Sequence, residues 1–134
     1  MKFLVMGCGR IGAEISTLLW KQGNQVTVLE KEPEGFARLP QEMRSEQTTL
    51  LGDGMVEDDL IRAGIRDVDV FVAVDVRDNC NALASQKAKH IFHVPQVICR
   101  IGDPIKQQIY LDLGLTAVSP THATTNLILN AIRS

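Results

Sequence analysis

An apolar segment, Phe3-Leu4-Val5-Met6, runs straight into Gly7-x-Gly9-x-x-Gly12, and that junction constrains the fold more than any other part of the chain. Glycines at this spacing do separate jobs between a strand and a helix. Gly7 permits the tight turn out of the strand, Gly9 lets phosphates approach bare backbone, and Gly12 lets the following helix pack close to the sheet. The helical pattern follows in Ile11, Ile15, Leu18 and Leu19. A second apolar strand, Val26-Thr27-Val28-Leu29, then ends in an acid, Glu30, about 20 residues on, where such a unit places one. A phosphate would meet the helix N-terminus, whose free N–H groups and dipole favour negative charge. Glu30 would accept from both hydroxyls of an adenosine ribose and repel a 2′-phosphate, so NADP is disfavoured.

Strand and helix alternate along the rest of the chain. Gly23-Asn24 ends the first helix, and Pro33 opens a short helix towards Met43 that Gly35 and Pro40 weaken or break. Residues 48–51 read as a third strand leading into Gly52-Asp53-Gly54, followed by a helix with Glu57 and Asp58 in its first turn and Gly64 at its end. Residues 68–74 form a fourth strand, 78 to about 92 a helix, and 97–99 a fifth strand. Pro104 opens a helix that Gly114 stops. A short strand near Ala117-Val118 leads through Ser119-Pro120-Thr121 into a terminal helix bearing Ala123, Leu127, Ile128, Ala131 and Ile132. Crossovers too long for hairpins predict an α/β fold: a Rossmann-like, doubly wound parallel sheet of six strands in the order 3-2-1-4-5-6, with helices on both faces. The ligand crevice would lie at the carboxyl ends of strands 1 to 4.

Bulk properties narrow the partners. At 134 residues the chain suits one domain spanning 1–134 and is too short to add a separate substrate domain. A net charge of −2 supplies no basic field for nucleic acid, and no apolar run reaches membrane-spanning length or follows a signal-peptide pattern. The expected location is cytoplasmic, without direct membrane insertion. Cys8, Cys80 and Cys99 have neither the spacing of a zinc site nor that of a disulfide framework, and His90, His93 and His122 lack metal-ligand spacing, so no metal is expected. Cys8 is either a thiol activated by the helix N-terminus or a small residue that the loop tolerates.

Beyond the fingerprint come Gly52-Asp53-Gly54, then Leu60-Ile61-Arg62-Ala63-Gly64-Ile65, then Asp69 to Asp75 with Asp78-Asn79-Cys80-Asn81 at the next helix start. The series continues through Val97-Ile98-Cys99-Arg100-Ile101, Asp103-Pro104, Leu113-Gly114-Leu115 and Ser119-Pro120-Thr121. It resembles the regulator-of-potassium-conductance domain, also called the TrkA N-terminal domain, over essentially the whole chain. The resemblance implies a cytosolic regulatory module that binds NAD(H) or an adenine nucleotide such as ATP, ADP or AMP. Its partner would be a membrane-embedded potassium transporter or channel subunit, which places it at the inner face of the membrane.

The resemblance implies ribose contacts from Glu30 and adenine-side contacts from Asp53, which the residues alone read either as an acceptor for the adenine amino group or as a cap for the helix after Gly54. It implies that Arg10, in the phosphate loop, pairs with a terminal phosphate. Arg100 would meet Asp75, Asp78 or a phosphate, while Asp75 and Asn81 flank the crevice as ligand contacts or as turn and cap residues. Cys8, Ile11, Lys31 and Gly54 complete the candidate set by position. The terminal helix, about 120–133, would cross to a neighbouring subunit of a homodimer or larger ring, or else pack back on its own sheet. Many relatives continue into a C-terminal lobe that is absent here, which leaves a single-lobe regulator or a piece of a longer protein.

The rival reading is an NAD-dependent oxidoreductase fragment that lacks its substrate domain. It needs a proton-transfer group beside the nicotinamide. Tyr110 has Gly114 four residues on rather than a lysine, and no catalytic residue is assigned.

Overall fold

Two parallel strands at the centre of a sheet must be apolar on both faces, and β1 (Lys2–Met6) and β4 (Val70–Ala73) meet that condition: Leu4, Val5, Met6 and all four β4 residues are buried. The structure, a computed structural model, describes residues 1–133. Around the central pair lie α1 (Arg10–Lys21), β2 (Gln25–Glu30), β3 (Thr49–Leu51), α2 (Glu57–Arg62), α3 (Asp78–His90), β5 (Gln96–Arg100), α4 (Pro104–Asp112), β6 (Thr116–Val118) and α5 (Pro120–Arg133). The six strands pair in parallel in the order β3-β2-β1-β4-β5-β6, as the alternation of elements requires.

Side-chain alternation along each strand divides the core into two layers. Leu4, Met6, Leu29, Phe71 and Ala73 face α2 and α3, packing on Leu60, Ala84 and Ala88. Val5, Val26, Val28, Val70 and Val72 point the other way, against Ala13, Ile15, Leu19 and Trp20 of α1. Register couples the layers across the centre: Val5 lies beside Val28 on one side and Val72 on the other.

The connection from β2 to β3 is where the helix expectation gives way. Two 3-10 turns, Pro33–Arg38 and Gln41–Met43, replace a helix towards Met43. Pro40 has no N–H to donate and biases Leu39 towards extended backbone, and Leu39 sits at φ −84, ψ 151. Leu39 and Met43 are nevertheless fully buried under α1's face of the sheet, so side-chain burial anchors this segment in place of a helical ladder. The other boundaries shift by one or two residues at most in the strands flanking the crevice.

At the far edge, α5 buries none of its described residues, and Leu127 and Ile132 are 69% and 75% exposed. Of the two placements read from the sequence, packing back on its own sheet is not what the described residues show. A fourteen-residue helix after the last strand has passed beyond the sheet's apolar edge, and its stripe is left uncovered.

The fold depends on one close approach. A side-chain carbon built on Gly12 would overlap the Gly7 carbonyl oxygen and lie 3.3 Å from Val74. Gly12→Ala is expected to cost more than about 2 kcal/mol, because backbone rather than a flexible side chain must yield. Urea unfolding with an unchanged m-value and a lowered midpoint checks it; an unchanged midpoint refutes it.

Candidate functional site

The loop between β1 and α1 forms the floor of the site. Gly7 turns the chain with φ +112, a conformation L side chains rarely adopt, and its N–H donates to the Leu29 carbonyl at 2.9 Å. Gly9 is the N-cap of α1 and brings no side-chain cap, so no side chain closes over the first-turn N–H groups. A methyl group on Gly9 would meet nothing within 4 Å. Packing does not demand a glycine there, and the open space lies where an anion would approach.

Glu30 stands at the tip of β2 beside that loop. One carboxylate oxygen accepts from the Cys8 N–H at 2.7 Å, and the other accepts from the N–H groups of Lys31 and Glu32 at 2.7 and 2.9 Å. A ligand-free role is thus built in: the carboxylate braces the loop to β2. A carboxylate has about four acceptor positions, so one remains, on the oxygen that accepts from Cys8.

Cys8 faces away from the cleft. Its thiol donates to the Gly35 carbonyl at 3.2 Å, and Arg38 Nη1 donates to the Cys8 carbonyl at 3.2 Å. Burial, reinforced by the negative charge of Glu30 and opposed by Arg38, pushes the thiol up to about 11. The activated-thiol alternative is therefore wrong: desolvation of the thiolate outweighs the helix N-terminus.

The opposite wall comes from the ends of β4 and β5. Asn81, fully buried, accepts from the Asp75 N–H at 2.9 Å and donates to the carbonyls of Asp75 and Arg100 at 2.7 and 3.0 Å. It clamps the two strand ends together, which is the turn-residue reading of Asn81 and not a ligand contact. Asp75 accepts from the N–H and Nε of Arg77 at 2.9 and 3.1 Å. Burial works against its charge, yet the bonds from Arg77 and the nearby Arg100 outweigh it and hold the carboxyl below its usual range. Arg100 forms no ion pair with Asp75 or Asp78 among the described residues. Asp78 instead accepts from the Gly102 and Asp103 N–H groups, bringing the start of α3 to the loop after β5.

Between these walls lies a cleft of about 850 Å³. Of the residues singled out from sequence, Gly7, Gly9, Arg10, Ile11, Glu30, Lys31, Asp75 and Arg100 line it. Cys8 and Gly12 lie beneath its floor. Gly54 is buried because the Met6 thioether fills the space a side chain would take, and Asp53 does not line the cleft. Asp53 accepts from the Met55 N–H at 2.9 Å and lies 3.6 Å from Lys31 Nζ. It does not cap α2, which begins at Glu57 with Val56 as its N-cap; the three residues between Asp53 and Glu57 put the helix beyond its reach. Sequence reasoning missed Arg38 and Arg77. Arg77 follows the carboxyl end of β4, a position that should have flagged it, whereas Arg38 carried no signal because it lies in the connection with no regular period.

The TrkA-N domain family model matches residues 3–120. The chain belongs to the TrkA-N domain family. The Trk system potassium uptake protein TrkA of Streptomyces coelicolor is 34% identical to this TrkA-N domain over 132 residues, covering 98% of it and 58% of that protein. A TrkA homolog from Pyrococcus abyssi is 32% identical over 82% of this chain and 48% of its own length. The chain thus spans about half the length of the curated relatives it matches. Among solved structures, the TrkA-N domain of the inner membrane protein ybaL from Escherichia coli superposes with a TM-score of 0.84 at 15% identity, covering 97% of this chain and 95% of that one. The GsuK channel bound to NAD gives 0.81 at 16%, over 98% of this chain and 23% of that one. The Kef C-terminal domain of Shewanella denitrificans in AMP-bound form gives 0.75 at 24%, over 99% and 80%. At these identities the superpositions establish the shared fold.

Two outcomes follow for this TrkA-N domain. Cys8 in the folded protein at pH 8 is expected to alkylate with iodoacetamide on the order of a hundredfold more slowly than a free cysteine, given the thiolate fraction at a pKa near 11. Peptide mass spectrometry checks it, and a rate equal to that of the urea-unfolded chain refutes it. Asp75, with its pKa lowered, contributes stability that is fully present above about pH 4 and is lost as pH falls through the folded value. Asp75→Asn should flatten the acid side of the stability profile; an unchanged acid limb would count against this.

Proposed function

We propose that this TrkA-N domain is a nucleotide-sensing regulatory module of potassium transport. It binds NAD(H) or an adenine nucleotide such as ATP, ADP or AMP in the cleft, and so controls a membrane-embedded potassium transporter or channel subunit from the cytoplasmic side. The observation that carries the reading is the uncapped N-terminus of α1 behind Gly9, set opposite the Glu30 carboxylate in one cleft. The Trk potassium uptake relatives support the transport role, and the NAD-bound GsuK channel and AMP-bound Kef domain support the ligand class.

Gly7, Gly9, Ile11 and Gly12 present the backbone to phosphates, Arg10 pairs with their charge, and Glu30 accepts from a ribose hydroxyl with its remaining acceptor position. Lys31, with Asp53 behind it, borders the adenosine end, while Asp75 and Arg100 border the other wall. A 2′-phosphate would confront the Glu30 carboxylate, so NADP binds weakly. The Trk potassium uptake relatives support a binder rather than a catalyst, and Tyr110 packs against the cluster of Ala82, Cys99, Ile101 and Ala117, away from the cleft lining.

Control is a population shift. A ligand biases assembly only through unequal affinity for two arrangements, and the exposed apolar stripe of α5 supplies a contact by which copies form a dimer or ring.

The test is isothermal titration of the nucleotide-free protein with NADH, NAD, NADP, ATP, ADP and AMP. Glu30→Gln is the informative variant, because it keeps an acceptor for the Cys8 N–H while removing the charge. One or two ligands are expected to bind tightly, with affinity falling about tenfold or more in the variant. Binding by none of them, or undiminished binding in Glu30→Gln, refutes the assignment.

A further inference from the structure

Five cationic side chains line the cleft, and their partners divide them. Arg77 is held by Asp75 at 3.1 Å, and Lys31 lies 3.6 Å from Asp53. Arg10, Arg38 and Arg100 have no carboxylate within 4.0 Å among the described residues, although Glu32 and Glu34 line the same cleft. Arg38 differs from the other two in being tied down. Its Nη1 donates to the Cys8 carbonyl, which fixes the guanidinium at the phosphate loop and leaves about four of its five donors uncommitted.

Position adds to charge. Arg10 and Arg38 also line a second groove of about 570 Å³ that follows α1 past Glu14, Thr17 and Lys21. The two guanidiniums therefore stand where the cleft opens onto α1, at the margin of the loop that would cradle internal phosphates. Like charges gathered at one mouth repel unless an anion joins them, and the negative side chains available have not done so.

We propose that Arg38, acting with Arg10, binds a terminal phosphate at this mouth and selects adenine nucleotides that end in a phosphate chain over dinucleotides. The inference rests on the cleft being a nucleotide site. The two phosphates inside a dinucleotide carry one charge each, which loop N–H groups and a helix N-terminus match. A terminal phosphate carries about two charges and offers paired oxygens, the geometry a guanidinium fork fits. Arg38 is the contribution of the irregular β2–β3 connection to that recognition, and its bond to Cys8 pre-positions it.

Titration calorimetry with ADP, ATP and NADH on the wild type, Arg38→Gln and Arg38→Lys decides the matter. ADP and ATP are expected to bind the wild type more tightly than NADH. Arg38→Gln should weaken ADP and ATP about tenfold or more while changing NADH less than about threefold, and Arg38→Lys should restore only part of the loss. Equal losses for all three ligands would mean that Arg38 only supports the loop, and no loss would mean that it contacts nothing; either overturns the proposal while leaving the nucleotide site standing. Binding of none of the ligands by the wild type overturns both.

Discussion

Where α1 crosses the end of β1, the Cα of Gly12 rests against the Gly7 carbonyl so closely that no side chain fits between helix and turn. Everything at the carboxyl edge of the sheet follows from that contact. It brings the N-terminus of α1 down onto the strand end, orients its uncapped N–H groups into the crevice, and leaves Val74 at the end of β4 packed against the same glycine. With β1 between β2 and β4, the crossovers leave in opposite directions, and the crevice opens where they part.

Glu30 joins the second wall to that frame and carries two demands at once. Its bonds to the N–H groups of Cys8, Lys31 and Glu32 hold the loop and the end of β2 together in the ligand-free protein. The same carboxylate is the group offered to a ribose, so loop order and ligand recognition share one side chain. Asn81 performs the structural half of that task alone on the opposite wall, spending its amide on strand ends and none of it on the cleft. The excess of unpaired guanidiniums at the mouth is then a property of the site itself, not of the chain, whose net charge is −2.

The parts of the fold legible in the sequence were those with a strong period or a strong punctuator. Buried runs such as residues 70–73, glycine stops at Gly64 and Gly114 with φ +88, and Pro104 opening α4 each state their role locally. The segment 33–43 was not legible, because Leu39 and Met43 are held by the sheet rather than by helical hydrogen bonds, and contacts of that kind leave no period. Glu30 was found because strand tips are locally marked. Asp53 was read either as an acceptor for an adenine amino group or as a cap for the helix after Gly54, because an acid after a strand suits both; the cap fails because the helix begins further along and Asp53 turns to the Met55 N–H and towards Lys31.

The sequence by itself determined the element order, the strand order and the place of the phosphate loop, because alternating apolar periods, crossover handedness and glycine spacing are properties of neighbours along the chain. Only the tertiary structure decided which charges remain unpaired in the cleft, that Cys8 is a buried neutral thiol, that Arg38 reaches the phosphate loop and that α5 has no bed on its own sheet. Those outcomes depend on which distant groups meet and how much water remains between them, and a chain's local pattern does not encode either.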